Sequence, residues 1–139
     1  MDPVSSTTIG PITILLVEDH TDTARSLAKL LAHYGHTVSI ASTAADARRL
    51  AAASRFELVL CDLGLPDGDG ADLLAEIQAM YPVAGVAISG YGMEQDVARS
   101  LDAGFTTHLL KPCGLERLMQ AIEQAVVRAP AGAAARSRN

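Results

Sequence analysis

Five short apolar runs, each followed by a helical pattern, restrict the fold of this chain more than anything else in it. The runs are ITILLV (12–17), TVSIA (37–41), ELVLC (57–61), GVAIS (85–89) and THLL (107–110). They have strand length, and several are apolar without alternation. That suits strands covered on both faces, as in a parallel sheet. Between them the apolar period changes to that of a helix. Leu27, Leu30, Leu31 and Tyr34 fall at i, i+3, i+4, i+7, with Gly35 placed to end the helix. Thr43 and Asp46 form a capping-box-like start before ARRLAAA. Leu73, Leu74 and Ile77 line a third helix that stops near Pro82. Met93, Val97 and Leu101 line a short fourth, ended by Gly104. Leu115, Leu118, Met119, Ile122 and Val126 make the clearest stripe, on a fifth.

Strict alternation implies an open α/β parallel sheet, (βα)5, with right-handed crossovers. A closed barrel of eight units would need about 250 residues, and the chain has 139. One domain of this length buries roughly 68–70% of its unfolded surface, enough for a core without staples. The doubly wound strand order 2-1-3-4-5 is the natural choice, and ligands of such sheets lie beyond the carboxyl ends of the strands. Residues 1–11 are polar and punctuated by Pro and Gly, so a flexible arm is expected there. The folded domain is expected over 12–128. A flexible tail or linker is expected over 129–139, where APAGAAARSRN has no periodic apolar face.

The residue that ends each strand carries the chemistry. The first strand runs into Glu18 and Asp19, the third into Asp62, the fourth ends at Ser89 and the fifth runs into Lys111. The second contributes nothing obvious. In a parallel sheet these groups share one edge. Three carboxylates within a few ångströms repel one another in a partly desolvated cleft. A hard divalent cation relieves that repulsion. Mg²⁺ takes oxygen ligands and commonly uses one or two carboxylates together with phosphate oxygens. Asp62 can then act as a carboxylate nucleophile toward phosphorus, with Lys111 and Ser89 placed to neutralise and hydrogen-bond the transferred oxygens. Taken singly these residues are bland: an Asp or Ser after a strand is often a turn residue or an N-cap. The combination at four strand ends is what points to one site.

Several function classes are disfavoured. Eleven basic against sixteen acidic residues, a net charge of −5, argue against nonspecific nucleic-acid binding, which draws on Lys and Arg. Cys61 and Cys113 form no metal-ligand spacing, and reduced thiols in a cytoplasmic protein are expected. No apolar run approaches the 18 residues of a membrane span, so no membrane contact is expected.

The stretches ILLVEDH, LVLCDLGLPDGDG, AISGYG and HLLKP, in this order and spacing, resemble the receiver domain of two-component response regulators over about residues 12 to 128. The resemblance implies a flavodoxin-like fold. It also implies that Asp62 accepts the phosphoryl group, and that Glu18 and Asp19 hold Mg²⁺, Asp19 directly and Glu18 directly or through water. Gly64 would offer its backbone carbonyl to the metal. Ser89 would be the hydroxyl switch residue, and Lys111 would pair with the phosphoryl group. The donor would be a sensor histidine kinase or a histidine phosphotransfer protein, and the output a changed protein-binding surface, with Gly90 and Gly92 giving the loop after Ser89 its freedom. AISGYG and GFTTHLLKP look closest to receivers attached to hybrid histidine kinases.

Two positions depart from the family pattern. The switch residue three before the lysine is usually Tyr or Phe and is His108 here, either a polar switch or a residue packed on the sheet edge. Gly64 and Tyr91 occupy positions that tune loss of the phosphoryl group. Since Gly64 has no side chain to orient water, that role would fall more to the surroundings of Tyr91.

Three alternative readings fit these residues less well. A Mg²⁺-dependent phosphohydrolase using an aspartyl-phosphate would want a second Asp two positions after the nucleophile, where Gly64 stands. A flavodoxin-like cofactor binder would need a phosphate loop where this chain has acids. A degenerate receiver used only for binding fits poorly with an intact Asp62, Ser89 and Lys111.

Overall fold

The computed structural model describes residues 10–89, 104–105, 107–110 and 114–127. Five parallel strands form one sheet: β1 (Thr13–Val17), β2 (Thr37–Ala41), β3 (Leu58–Asp62), β4 (Ala84–Ser89) and β5 (Thr107–Leu110). Their order is β2-β1-β3-β4-β5, as the alternation and the resemblance imply. The helices are α1 (Thr21–His33), α2 (Ala44–Ala53), α3 (Gly70–Met80) and α4 (Leu115–Val127). The last corresponds to the fifth helical pattern of the sequence. The pattern of Met93, Val97 and Leu101 lies outside the described residues, as do Gly90, Tyr91, Gly92, Lys111, Cys113, residues 1–9 of the N-terminal arm and the whole C-terminal tail.

Burial follows strand position. Every residue of β3 and β4 is buried, whereas β2 and β5, at the sheet edges, are mostly half-exposed or exposed. This is why the central strands read as unbroken apolar runs. Alternation along the strands sends side chains into two layers. One layer joins Val59, Cys61 and Ala87 to α2 and α3. The other joins Leu58, Leu60 and Ile88 to α1 and α4. Strand bounds differ from the apolar runs by a residue. β3 extends to Asp62 because that residue pairs with Ile88 in the ladder.

Helix ends are specified by named side chains. Thr43 Oγ1 accepts from Asp46 N at 3.0 Å, as its sequence position predicts. Asp67 fills two further donors at the same end: its carboxylate accepts from Ala44 N at 2.7 Å and from Ala45 N at 3.1 Å. Those backbone bonds hold the Asp67 carboxyl below the usual carboxylate range. α1 ends at Gly35, whose φ of +95° suits a residue without a Cβ. Asp69 caps α3 by accepting from Ala71 N at 2.7 Å. The Tyr81 hydroxyl accepts from Phe56 N at 3.3 Å and lies 3.1 Å from the carbonyls of both Ala51 and Ser54, tying the end of α2 to the start of β3. On the surface, Arg48 donates to both carboxylate oxygens of Glu76, linking α2 to α3. Among the described residues, no helix is long and apolar enough to cross a membrane.

Two features generate predictions. Gly85, inside β4, leaves room for the side chains packed on it. A Cβ there would lie 2.7 Å from Leu74 Cδ2 and 2.8 Å from Phe105 Cδ1. Gly85→Ala should therefore destabilise the fold by roughly 1–3 kcal/mol, read as a lower urea midpoint at unchanged slope. His36, buried beside β1, accepts from Ile12 N through Nδ1 at 3.1 Å, a bond that requires an unprotonated nitrogen. Burial lowers its pKa, partly opposed by the charge of Glu57. The folded state thus binds the proton less readily than the unfolded chain. The associated stability is full above the ordinary imidazole pKa of about 6.5 and lost as pH falls through the lowered folded value. The urea midpoint should fall between pH 7.5 and 5.5, and His36→Gln should make that fall shallower.

Candidate functional site

The carboxyl ends of β1 and β3, adjacent in the sheet, bring three acids together. Glu18 follows β1 directly, and its backbone N–H donates to Ala41 O at 2.9 Å, so the end of β2 holds it in line. Its side chain is almost fully buried, and Oε2 accepts from His20 N at 3.0 Å, just ahead of α1. Asp19 is exposed. Asp62, the last residue of β3, is only 8% exposed. Its Oδ1 accepts from Gly64 N at 2.9 Å, while Leu63 N donates to Ile88 O at 2.9 Å. The chain immediately after Asp62 is thereby held.

One carboxylate oxygen from each of Glu18, Asp19 and Asp62 lies within 4.8 Å of the others. At that spacing, with an effective dielectric of about 20, two like charges as withdrawn as Glu18 and Asp62 repel by on the order of 3 kcal/mol. A set made only of hard oxygen donors, two of them shielded from water, fits a small divalent cation far better than a soft metal.

Cys61 lies next to Asp62 and is fully buried, with Sγ donating to Asp62 O at 3.3 Å. Burial, reinforced by the charges of Asp62 and Glu18, pushes its thiol pKa well up. It stays a neutral packing group and offers no nucleophile. Behind it, α3 begins against the strand end. A Cβ on Gly70 would lie 3.0 Å from Cys61 Sγ and 3.2 Å from Asp62 O, so the glycine permits that close approach.

Ser89 is the last residue of β4 and is fully buried. Its Oγ lies 2.6 Å from His108 Nε2. His108 is the second residue of β5 and half-buried. It pairs with Ala87 in the ladder, while Ser89 pairs with Leu110. The two side chains therefore meet diagonally across neighbouring strands on one face of the sheet. β5 ends at Leu110, one residue before Lys111. Lys111, Gly90 and Tyr91 lie outside the described residues.

Of the residues singled out in the sequence, the structure thus groups Glu18, Asp19 and Asp62, and joins Ser89 to His108. Gly64 meets Asp62 through its N–H. Two participants were missed: the end of β2, which aligns Glu18, and Asp67, which anchors the loop after Asp62 to α2. The first was signalled only by the strand order, and the second by no local pattern.

The profile of the response regulator receiver domain matches residues 14–123. Among curated proteins, the transcriptional regulatory protein ZraR of Salmonella typhimurium is 32% identical over 118 residues, 84% of this chain and 27% of that protein. The transcriptional regulatory protein KdpE of Mycobacterium tuberculosis is 32% identical over 120 residues, 86% of this chain and 53% of that protein. The chain thus spans between about a quarter and a half of the relatives it matches. Among solved structures, a response regulator receiver domain protein of Clostridium thermocellum superposes with a TM-score of 0.78 at 26% identity, covering 84% of this chain and 95% of that one. A CheY-like receiver domain protein of Methanospirillum hungatei gives 0.79 at 28% identity, covering 85% and 95%. With the same strand order, an acidic cluster at the carboxyl edge and a family match over most of its length, the chain belongs to the response regulator receiver domain family.

Proposed function

We propose that this receiver domain takes a phosphoryl group onto Asp62 from a phosphohistidine of a sensor histidine kinase or histidine phosphotransfer protein, and that the modification switches a protein-binding surface. The observation that carries this reading is the placement of Asp62: a nearly buried carboxylate at the end of a central strand, grouped with two further carboxylates.

In the transfer, an Asp62 oxygen attacks phosphorus, the P–N bond breaks, and the departing imidazole keeps the bonding pair. The Gly64 N–H on Oδ1 orients the carboxylate. Asp19, Asp62 and the backbone carbonyl of Gly64 would hold Mg²⁺, with Glu18 binding it directly or through water. A cation bound there would offset the crowded negative charge and the charge on the transferred oxygens. Lys111 and Ser89 would bind two of those oxygens, and Tyr91 would influence access of water to the phosphorus.

Phosphorylation would replace the single negative charge of the Asp62 carboxylate by about −1.5 to −2 on the phosphoryl oxygens, drawing Ser89 toward the site, with the loop at Gly90 following. The output is binding, not turnover of a second substrate. The motif style of AISGYG and GFTTHLLKP supports a place in a hybrid histidine kinase, whereas the relatives named above are transcriptional regulatory proteins, which supports a place in a longer regulator of that kind. The phosphohydrolase alternative has no support of its own, since Gly64 stands where its second Asp is needed.

The test is intact-mass spectrometry with Mg²⁺ and acetyl phosphate. One added phosphoryl group is expected, not formed when the metal is chelated beforehand and absent in Asp62→Asn. An adduct that persists in Asp62→Asn, or no adduct from either acetyl phosphate or a panel of phosphorylated histidine proteins, would overturn the assignment.

A further inference from the structure

We propose that His108 is a positioning residue that latches Ser89 in its unphosphorylated arrangement through the 2.6 Å contact between Nε2 and Oγ, so that phosphoryl binding at Asp62 requires this bond to break. The inference rests on the reading of Asp62 as the phospho-acceptor and adds to it the group that opposes the switch.

Sheet geometry carries the argument. Asp62 pairs with Ile88 in the β3–β4 ladder, so both side chains leave the same face of the sheet. Ile88 packs in the layer beneath α1 and α4. Ala87 packs in the opposite layer, beneath α2 and α3, and Ser89, two residues on, leaves the sheet on that side. His108 pairs with Ala87 and so shares that face. The hydroxyl is therefore tethered on the far side of the sheet from the one Asp62 faces. To reach a phosphoryl oxygen it must swing past the end of β4, and its present partner lies the other way, back along the strand.

The tether holds in either tautomer. If Nε2 accepts, the single hydroxyl proton of Ser89 is committed to the ring and cannot serve an oxyanion. If Nε2 donates, Oγ is still held at 2.6 Å. Tyr or Phe at this position could not do the same. Phe has no polar atom, and the hydroxyl of Tyr sits at the far end of its ring. A latch acting through Ser89 also differs from the mere filling of space by an aromatic ring, because its effect must vanish when the hydroxyl is removed.

The test uses beryllofluoride, a phosphoryl mimic, with Mg²⁺. His108 is half-exposed on an edge strand, so His108→Phe should fold. It should bind the mimic roughly two- to tenfold more tightly than the wild type, the range expected for releasing one hydrogen bond. In a Ser89→Ala background the same substitution should change nothing. The wild-type chain supplies a second readout that needs no variant: the ring ¹⁵N resonance of His108 should move on adding the mimic, toward its position in Ser89→Ala. Equal or weaker binding by His108→Phe, an equal gain in the Ser89→Ala background, or an unmoved ring resonance would each overturn the latch while leaving the phospho-acceptor reading intact. Failure of the wild type to take up the mimic would overturn both.

Discussion

Glu18 and Asp62 are both largely withdrawn from water and lie close enough to repel. Neither can relax away. Glu18 is aligned by a ladder bond to Ala41 and by His20 N, and Asp62 by Gly64 N and by the bond from Leu63 to Ile88. Burying like charges opposes folding, so the surrounding sheet has to hold them against that cost. It does so with strands that are apolar at nearly every central position, packed between two helical layers. The site and the core are thus one problem: the same strands that bury the apolar side chains also deliver the acids to one edge.

Much of this was legible in the chain itself. Short apolar runs alternating with helical patterns suit strands that are covered twice, and in a parallel sheet the residue after each run emerges on a common edge. That reasoning places Glu18, Asp19 and Asp62 together without any coordinate. Thr43 starts α2 and Gly35 follows the end of α1 as expected, because capping is local and is written within a few residues. What the sequence hides is non-local. Asp67 serves a helix 23 residues earlier, and no pattern near Asp67 announces it. The contact of Ser89 with His108 depends on the β4–β5 register, a matter of tertiary pairing. The sequence marked His108 as unusual, but whether it packed or bonded could be read only from the geometry.

The two halves of the site differ in how firmly they are built. On the β1–β3 side the acids are held by bonds from backbone N–H groups and by the backbone bonds of Glu18 to Ala41 and Leu63 to Ile88. On the β4–β5 side the Ser89 hydroxyl itself is held by a side-chain contact to His108 on a half-exposed edge strand. Backbone ladders in the sheet centre open only with the fold, whereas a single side-chain contact at an edge can exchange partners on its own. Such a division suits a module that must keep its chemistry still while its surface changes.

The carboxylate of Asp67 gives that division a further meaning. By grasping the first turn of α2, it fastens the segment between Asp62 and Asp69 to a distant part of the scaffold. Part of the segment's conformational entropy is therefore already lost when the fold forms, which leaves less to be ordered when a group binds beside it. If Asp62 takes a phosphoryl group as proposed, movement is therefore expected at the opposite rim, around Ser89, rather than in the stretch that this helix-capping acid holds.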